Sequence, residues 1–206
     1  MTEETPQGPI PRVPRDEVRR RLLAAAARVF AERGYADSRL ADIARAAGFT
    51  KGAVYSNFGS KQELFGAILG EGSADELAAV RAGVGENDGP AEAVEHAAGL
   101  VAGRIVAADE RGQLGLEFAA QAARDEGIRA ILVPLRRAQR EAAAGSFAEV
   151  AERTGARPRV SPEVAALILH CLSNGLSNEH LVDPESVGPE QVREALTTVL
   201  GLLVRP

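Results

Sequence analysis

The chain has 206 residues, 45% of them apolar, a net charge of −5 and one cysteine. That apolar share suits a sizeable core in one or two domains and excludes a disordered chain, and a lone Cys171 excludes an intrachain disulfide. Strand formers are sparse and Ala, Leu, Glu and Arg dominate, so an all-α fold is expected; no secretory leader pattern and no run of 18 apolar residues is present, which points to the cytoplasm.

The charge is unevenly spread. Residues 1–70 hold 11 Lys and Arg against 8 Asp and Glu, and the remainder 13 against 21. The N-terminal part is therefore basic by three and the rest acidic by eight, a distribution that lets one end approach a polyanion while the body is repelled and orients the molecule.

In chain order, MTEETPQGPIPRVPR carries four prolines and reads as a flexible arm, in which Arg12 and Arg15 are candidates to reach a minor groove. A first helix is expected from about Asp16 to Arg33, with Val18, Leu22, Ala25, Ala26, Val29 and Phe30 on one face and Gly34 as its stop. Then comes SRLADIARAAGFTKGAVYSNFGSK, residues 38–61. Leu40, Ile43, Ala44 and Ala47 are spaced for a short helix capped by Ser38. Gly48 marks a tight turn pinned by Phe49, and a second short helix, capped by Thr50, runs to Phe58. Two short helices across a glycine turn form a helix-turn-helix, whose second helix can enter a DNA major groove.

The segment TKGAVYSNFGSK closely resembles the recognition segment of the TetR (tetracycline-repressor-like) family, whose signature is a Thr/Ser-Lys-Gly-x-x-Tyr-x-x-Phe-x-x-Lys run. Matched residue by residue, the resemblance implies that Thr50, Lys51, Gly52, Tyr55, Asn57 and Lys61 lie at operator DNA, joined by Ser38 and Arg39 at the preceding helix start. Tyr55 and Lys61 would hold phosphates. Thr50, Lys51 and Ala53 would be nearest the base edges, and Gly52 would allow close backbone approach.

Ser60-Lys61-Gln62-Glu63 is a capping box that starts a fourth helix, continuing to about Gly83, and GVGENDGP then forms a turn cluster. Helices are expected at about 90–109, 112–124 and 126–154, with Pro134 as a kink or break in the last. Ser161-Pro162-Glu163 starts a helix ending near Leu181, with Val164, Leu167, Ile168, Cys171, Leu172, Gly175 and Leu176 on one face. A final helix from about Pro189 to Val204 presents Val192, Leu196, Val199, Leu200 and Leu203. The expected organisation is about nine helices, divided into an arm (1–14), a helix-turn-helix unit (15–60) and a regulatory and dimerisation unit (61–206).

The resemblance further implies that the last two helices pair with their copies in a four-helix homodimer interface, made here by Leu167, Ile168, Cys171, Leu172, Gly175, Leu176, Leu196, Val199, Leu200 and Leu203. It also implies a small-molecule effector bound within the C-terminal unit. The Ala-rich helices of residues 90–154 contain only two phenylalanines and suit a cavity; Leu100, Arg104, Leu114, Phe118, Gln121, Phe147 and Asn174 are the candidate lining. No catalytic, metal or cofactor signature is present: His96, His170 and His180 lack metal spacing, and GVGENDGP lacks the Lys-Ser/Thr ending of a phosphate loop. The reading is a ligand-responsive transcriptional regulator, most naturally a dimeric repressor on a palindromic operator, without cofactor. The competing reading is a helical interaction or enzyme module that keeps the helix-turn-helix as scaffold.

Overall fold

The structure, a computed structural model, describes residues 13–85, 88–107 and 110–205. The arm through Arg12 lies outside these residues. Among them are nine helices: α1 (Arg15–Asp37), α2 (Leu40–Ala46), α3 (Lys51–Phe58), α4 (Lys61–Gly83), α5 (Pro90–Val106), α6 (Glu110–Ala122), α7 (Glu126–Thr154), α8 (Pro162–Val182) and α9 (Pro189–Leu203). A two-residue antiparallel pair, β1 (Arg157–Pro158) with β2 (Val204–Arg205), ties the end of α9 to the α7–α8 connection.

Side-chain caps set several helix starts. Thr50 accepts from the Ala53 amide, Ser60 from Glu63 and Ser161 from Val164, each meeting a first-turn backbone donor. Asp125 does the same for Ile128 at the start of α7. Pro90, Pro162 and Pro189 occupy first-turn positions, where a missing amide hydrogen costs nothing. α7 passes through Pro134 without ending there; the ring sits on the exposed side of a helix held by packing on either side.

Ser38 departs from expectation. The residue before α2 is Arg39, and Ser38 turns inward, only 3% exposed, its hydroxyl donating to the Gly34 carbonyl at 2.7 Å and lying 3.1 Å from that of Val29. Gly34 interrupts α1 as expected, at φ 73° and ψ 164°, but a further helical turn follows and drops Tyr35 into the core.

One apolar core joins Leu22, Val29 and Phe30 of α1 to Ile43 of α2, Val54 and Phe58 of α3 and Leu64, Phe65 and Ile68 of α4. It continues without a break into Leu114 and Phe118 of α6 and Ile128 and Leu132 of α7. Four aromatic rings mark the junction: Phe65 lies 5.0 Å from Phe30, 5.1 Å from Tyr35 and 4.3 Å from Phe118, centroid to centroid. A smaller core lies between α5 and α9, around Ala98, Ala102, Val192 and Leu196. No helix of the described residues is long and apolar enough to cross a membrane.

Candidate DNA interface and internal cavity

α2 and α3 form the expected helix-turn-helix. Gly48, at φ 76°, lets its own amide donate to Arg45 and the Phe49 amide donate to Ala44, so the chain reverses within three residues. α3 is fixed from behind by Val54 and Phe58, both in the core. Its opposite face carries Lys51, Gly52 and Tyr55 outward, with Ala53 and Asn57 beside them; Tyr55 is 48% exposed and lies under the Lys51 ammonium at 5.5 Å. Asn57 donates its amide to the Ala53 carbonyl at 2.7 Å, which orients it on the helix. Arg39 is exposed at the start of α2 and Thr50 at the start of α3.

Lys61 has a second attachment that its sequence position does not reveal. Its ammonium donates to the Ala36 carbonyl at 3.2 Å and lies 4.4 Å over the Tyr35 ring, so it braces the start of α4 against the end of α1. Burial lowers its pKa from the ordinary value, while Asp37 and Glu117 pull in the other direction. Tyr35 is held from its other side by Glu117 of α6, which accepts its backbone amide at 2.8 Å. Burial, with the Asp125 charge, pushes the Tyr35 phenol up to about 12.

A cavity of about 330 Å³ lies among α4, α5, α7 and α8, near the lower end of the size range for small-molecule sites. Arg104, Phe147 and Asn174 line it as expected. Four of the expected residues do not. Leu114 and Phe118 are fully buried in the larger core, because the apolar face of α6 is turned toward α1 and α4. Gln121, one turn on, donates to Glu117 on its own helix at 3.1 Å, and Leu100 packs where a side chain on Gly83 would stand.

Phe147 and Asn174 aside, the lining residues of α7 and α8 were not anticipated, nor were those of α4. Arg136, Gln139, Arg140, Ala143, Phe147 and Val150 recur at helical spacing along α7, and Leu169, His170, Ser173 and Asn174 face them from α8. That spacing was legible; which face of α7 turned inward was not. Arg136 donates from Nη1 to His170 Nε2 at 2.7 Å, and Asn174 donates to the His170 carbonyl at 2.8 Å. Burial, then the nearby Arg136 and Arg140 charges, holds the imidazole down at about 4, so His170 is neutral near pH 7. Burial and Arg140 also lower Arg136, which stays charged as arginines do. Arg104 lies 3.8 Å from Glu76 and donates to the Gly72 carbonyl at 3.0 Å. Gln139 donates to the Leu69 carbonyl at 3.2 Å, and its own oxygen is buried without a partner.

The expected contact surface on α8 and α9 divides in two. Val164, Leu167, Ile168, Cys171 and Gly175 are exposed along α8, a contiguous apolar seam, and Val199 is partly exposed on α9. Leu196 and Leu203, expected at the interface, are 1% and 6% exposed within the single chain; Leu196 packs on α5. Leu172, Leu176 and Leu200 also pack against that inner core. The apolar stripe read from α9 is its inward face, and Leu202, 67% exposed, lies on the outward one. Among the described residues no group of three or more His, Cys, Asp or Glu is placed to hold a metal ion.

Residues 22–68 match the family model described as bacterial regulatory proteins, tetR family, and residues 90–205 match that of the BetI-type transcriptional repressor, C-terminal. The HTH-type transcriptional repressor BepR of Brucella suis is 32% identical over 170 residues, covering 80% of this chain and 81% of that protein. The HTH-type transcriptional activator FasR of Mycolicibacterium smegmatis is 48% identical over 58 residues, 28% of this chain and 26% of its own. A solved transcriptional regulator from Rhodococcus sp. Rha1 superposes with a TM-score of 0.67 at 25% identity, covering 90% of this chain and 95% of that one.

Proposed function

This chain belongs to the TetR family of bacterial regulatory proteins, and from that premise we propose that it is a repressor, working as a two-fold dimer on a palindromic operator and released when a small molecule fills the cavity. It is a DNA-binding transcriptional regulator. The observation that carries the DNA reading is α3: one face locked into the core by Val54 and Phe58, the other presenting Lys51, Gly52, Ala53, Tyr55 and Asn57 to a groove. Arg39 and Thr50 flank that face and complete the contact set. Lys61 divides its donors, one to Ala36 and the others to a phosphate. Ser38 serves from behind, holding the Gly34 turn in place.

Repression is favoured over activation because the likeness to a repressor covers 80% of the chain, whereas that to an activator covers 28% of it. The exposed α8 seam, with the outward residues of α9, is the proposed dimer surface, and the cytoplasm is the compartment of action. Residues 15–60 act as the DNA-reading unit and 61–206 as the regulatory one.

Selection of bound duplexes from a random-sequence pool tests this directly. The expected product is a palindrome whose half-sites lie about one helical turn (~34 to 36 Å) or a multiple of it apart, bound with a steep salt dependence. Binding without sequence preference would instead favour a helical module that keeps the helix-turn-helix as scaffold.

A further inference from the structure

The cavity is chemically graded. Side-chain contacts fix how its walls run: Gln139 reaches Leu69, Arg104 reaches Gly72, and Arg136 reaches His170. The first turns of the α4 wall thus meet the Arg136 to Arg140 stretch of α7 and the His170 to Asn174 stretch of α8. This is the end nearest the helix-turn-helix, and it is polar. Farther along the same helices, where Arg153 of α7 reaches the Arg81 carbonyl, the wall is built from Val80, Ala93, Val94 and Val150 and is apolar, the Thr154 hydroxyl there being turned onto its own helix.

The charges of the polar end are unbalanced. Among the described lining residues Glu76 is the only carboxylate, set against Arg104, Arg136 and Arg140, and it lies beside Arg104. Arg136 and Arg140 stand one turn apart on the same helix face and have no ion-pair partner among the described residues. Two guanidinium groups converging on a partly desolvated space repel one another, and water screens them poorly there. His170, donated to by Arg136, presents an acceptor that keeps that guanidinium in position without neutralising it.

We propose that the effector is an amphipathic anion, its carboxylate or phosphate head seated between Arg136 and Arg140 and its aliphatic chain directed toward Val94 and Val150. This assignment rests on the reading of the cavity as the effector site and adds the sign of the ligand's charge and its direction. The arginine fork matches a planar or tetrahedral oxyanion through paired N–H donors, and a bound head offsets the repulsion between the two guanidinium groups. A cationic amphipath of the same length meets two like charges in that position.

The test uses four probes of equal chain length on the full protein: decanoate, decyl phosphate, decanol and decyltrimethylammonium, followed by titration calorimetry and by the rise in Tm. The two anions are expected to bind at least tenfold more tightly than the alcohol, with no binding of the ammonium; decanoate ahead of decyl phosphate identifies a carboxylate head, and the reverse order a phosphate. The variant R136Q/R140Q is expected to bind decanoate and decanol alike, while its ligand-free Tm stays level or rises because the repulsion is gone. Equal binding of all four probes, or undiminished decanoate preference in R136Q/R140Q, overturns the anion assignment and leaves the effector cavity standing. Silence from every probe, in protein that still selects a palindromic duplex, overturns the cavity reading as well.

Discussion

Val54 and Tyr55 are neighbours in sequence with opposite tasks: the first is fully buried behind α3 and the second stands half in solvent. Val54→Ala should cost about 2 kcal/mol of stability through lost burial and a residual void, read as a fall in the urea midpoint. Tyr55→Ala should leave stability within about 0.5 kcal/mol and weaken operator binding roughly tenfold, the share of one hydrogen bond to a charged phosphate. His170 gives a pH signature. Its folded-state pKa of about 4 lies below the ordinary histidine value of about 6.5, so between those limits the unfolded chain holds more protons and stability falls as pH drops through the window. Tm measured from pH 7 to 4.5 should decline less steeply in His170→Gln than in the parent.

α6 shows most plainly what a helix pattern reveals and what it withholds. Leu114, Phe118 and Gln121 fall within one expected helix, and the helix is there, but its apolar face serves the core shared with α1 and α4 instead of the cavity. Phe118→Ala should therefore lower stability by about 3 to 5 kcal/mol, and calorimetric titration of the surviving folded fraction should show ligand affinity unchanged. Helix starts were legible at Thr50 before α3, Ser60 before α4 and Ser161 before α8, where a side chain caps the first turn, whereas Ser38, expected to cap α2, turns inward. Partners across the fold were not, since periodicity marks an apolar face without naming what covers it. Leu196 and Leu203 illustrate the point: they were read as a surface for a second copy and are spent within the chain, whereas Leu167, Ile168 and Gly175 of the same reading remain outside. Tyr35 left no periodic trace, because it lies beyond the glycine that stops the regular run of α1.

At the scale of the molecule, a basic N-terminal part and an acidic body suit the proposed dimer, which would present two copies of α3 to one face of a duplex. Gly175 is the clean probe of that assembly. A side chain added there meets nothing within its own chain, so Gly175→Arg should keep the monomer's helical content and Tm while placing a charge on the seam. Sedimentation should then report monomers, and operator affinity should fall at least a hundredfold; a dimer with undiminished affinity would move the interface elsewhere.

The contact of Phe65 with Phe118 has a consequence for how the protein melts. The helix-turn-helix owns no separable core: Leu64, Phe65 and Ile68 come from α4, and Phe118, Ile128 and Leu132 come from still later in the chain. Loss of order at either side removes apolar neighbours from the other, so the two proposed units are expected to melt as one cooperative unit instead of two independent foldons. Calorimetry should record a single transition, with van't Hoff and calorimetric enthalpies agreeing per cooperative unit. A fragment ending at residue 60 should show little helix by circular dichroism, and recovery of a native spectrum should require the chain through α7.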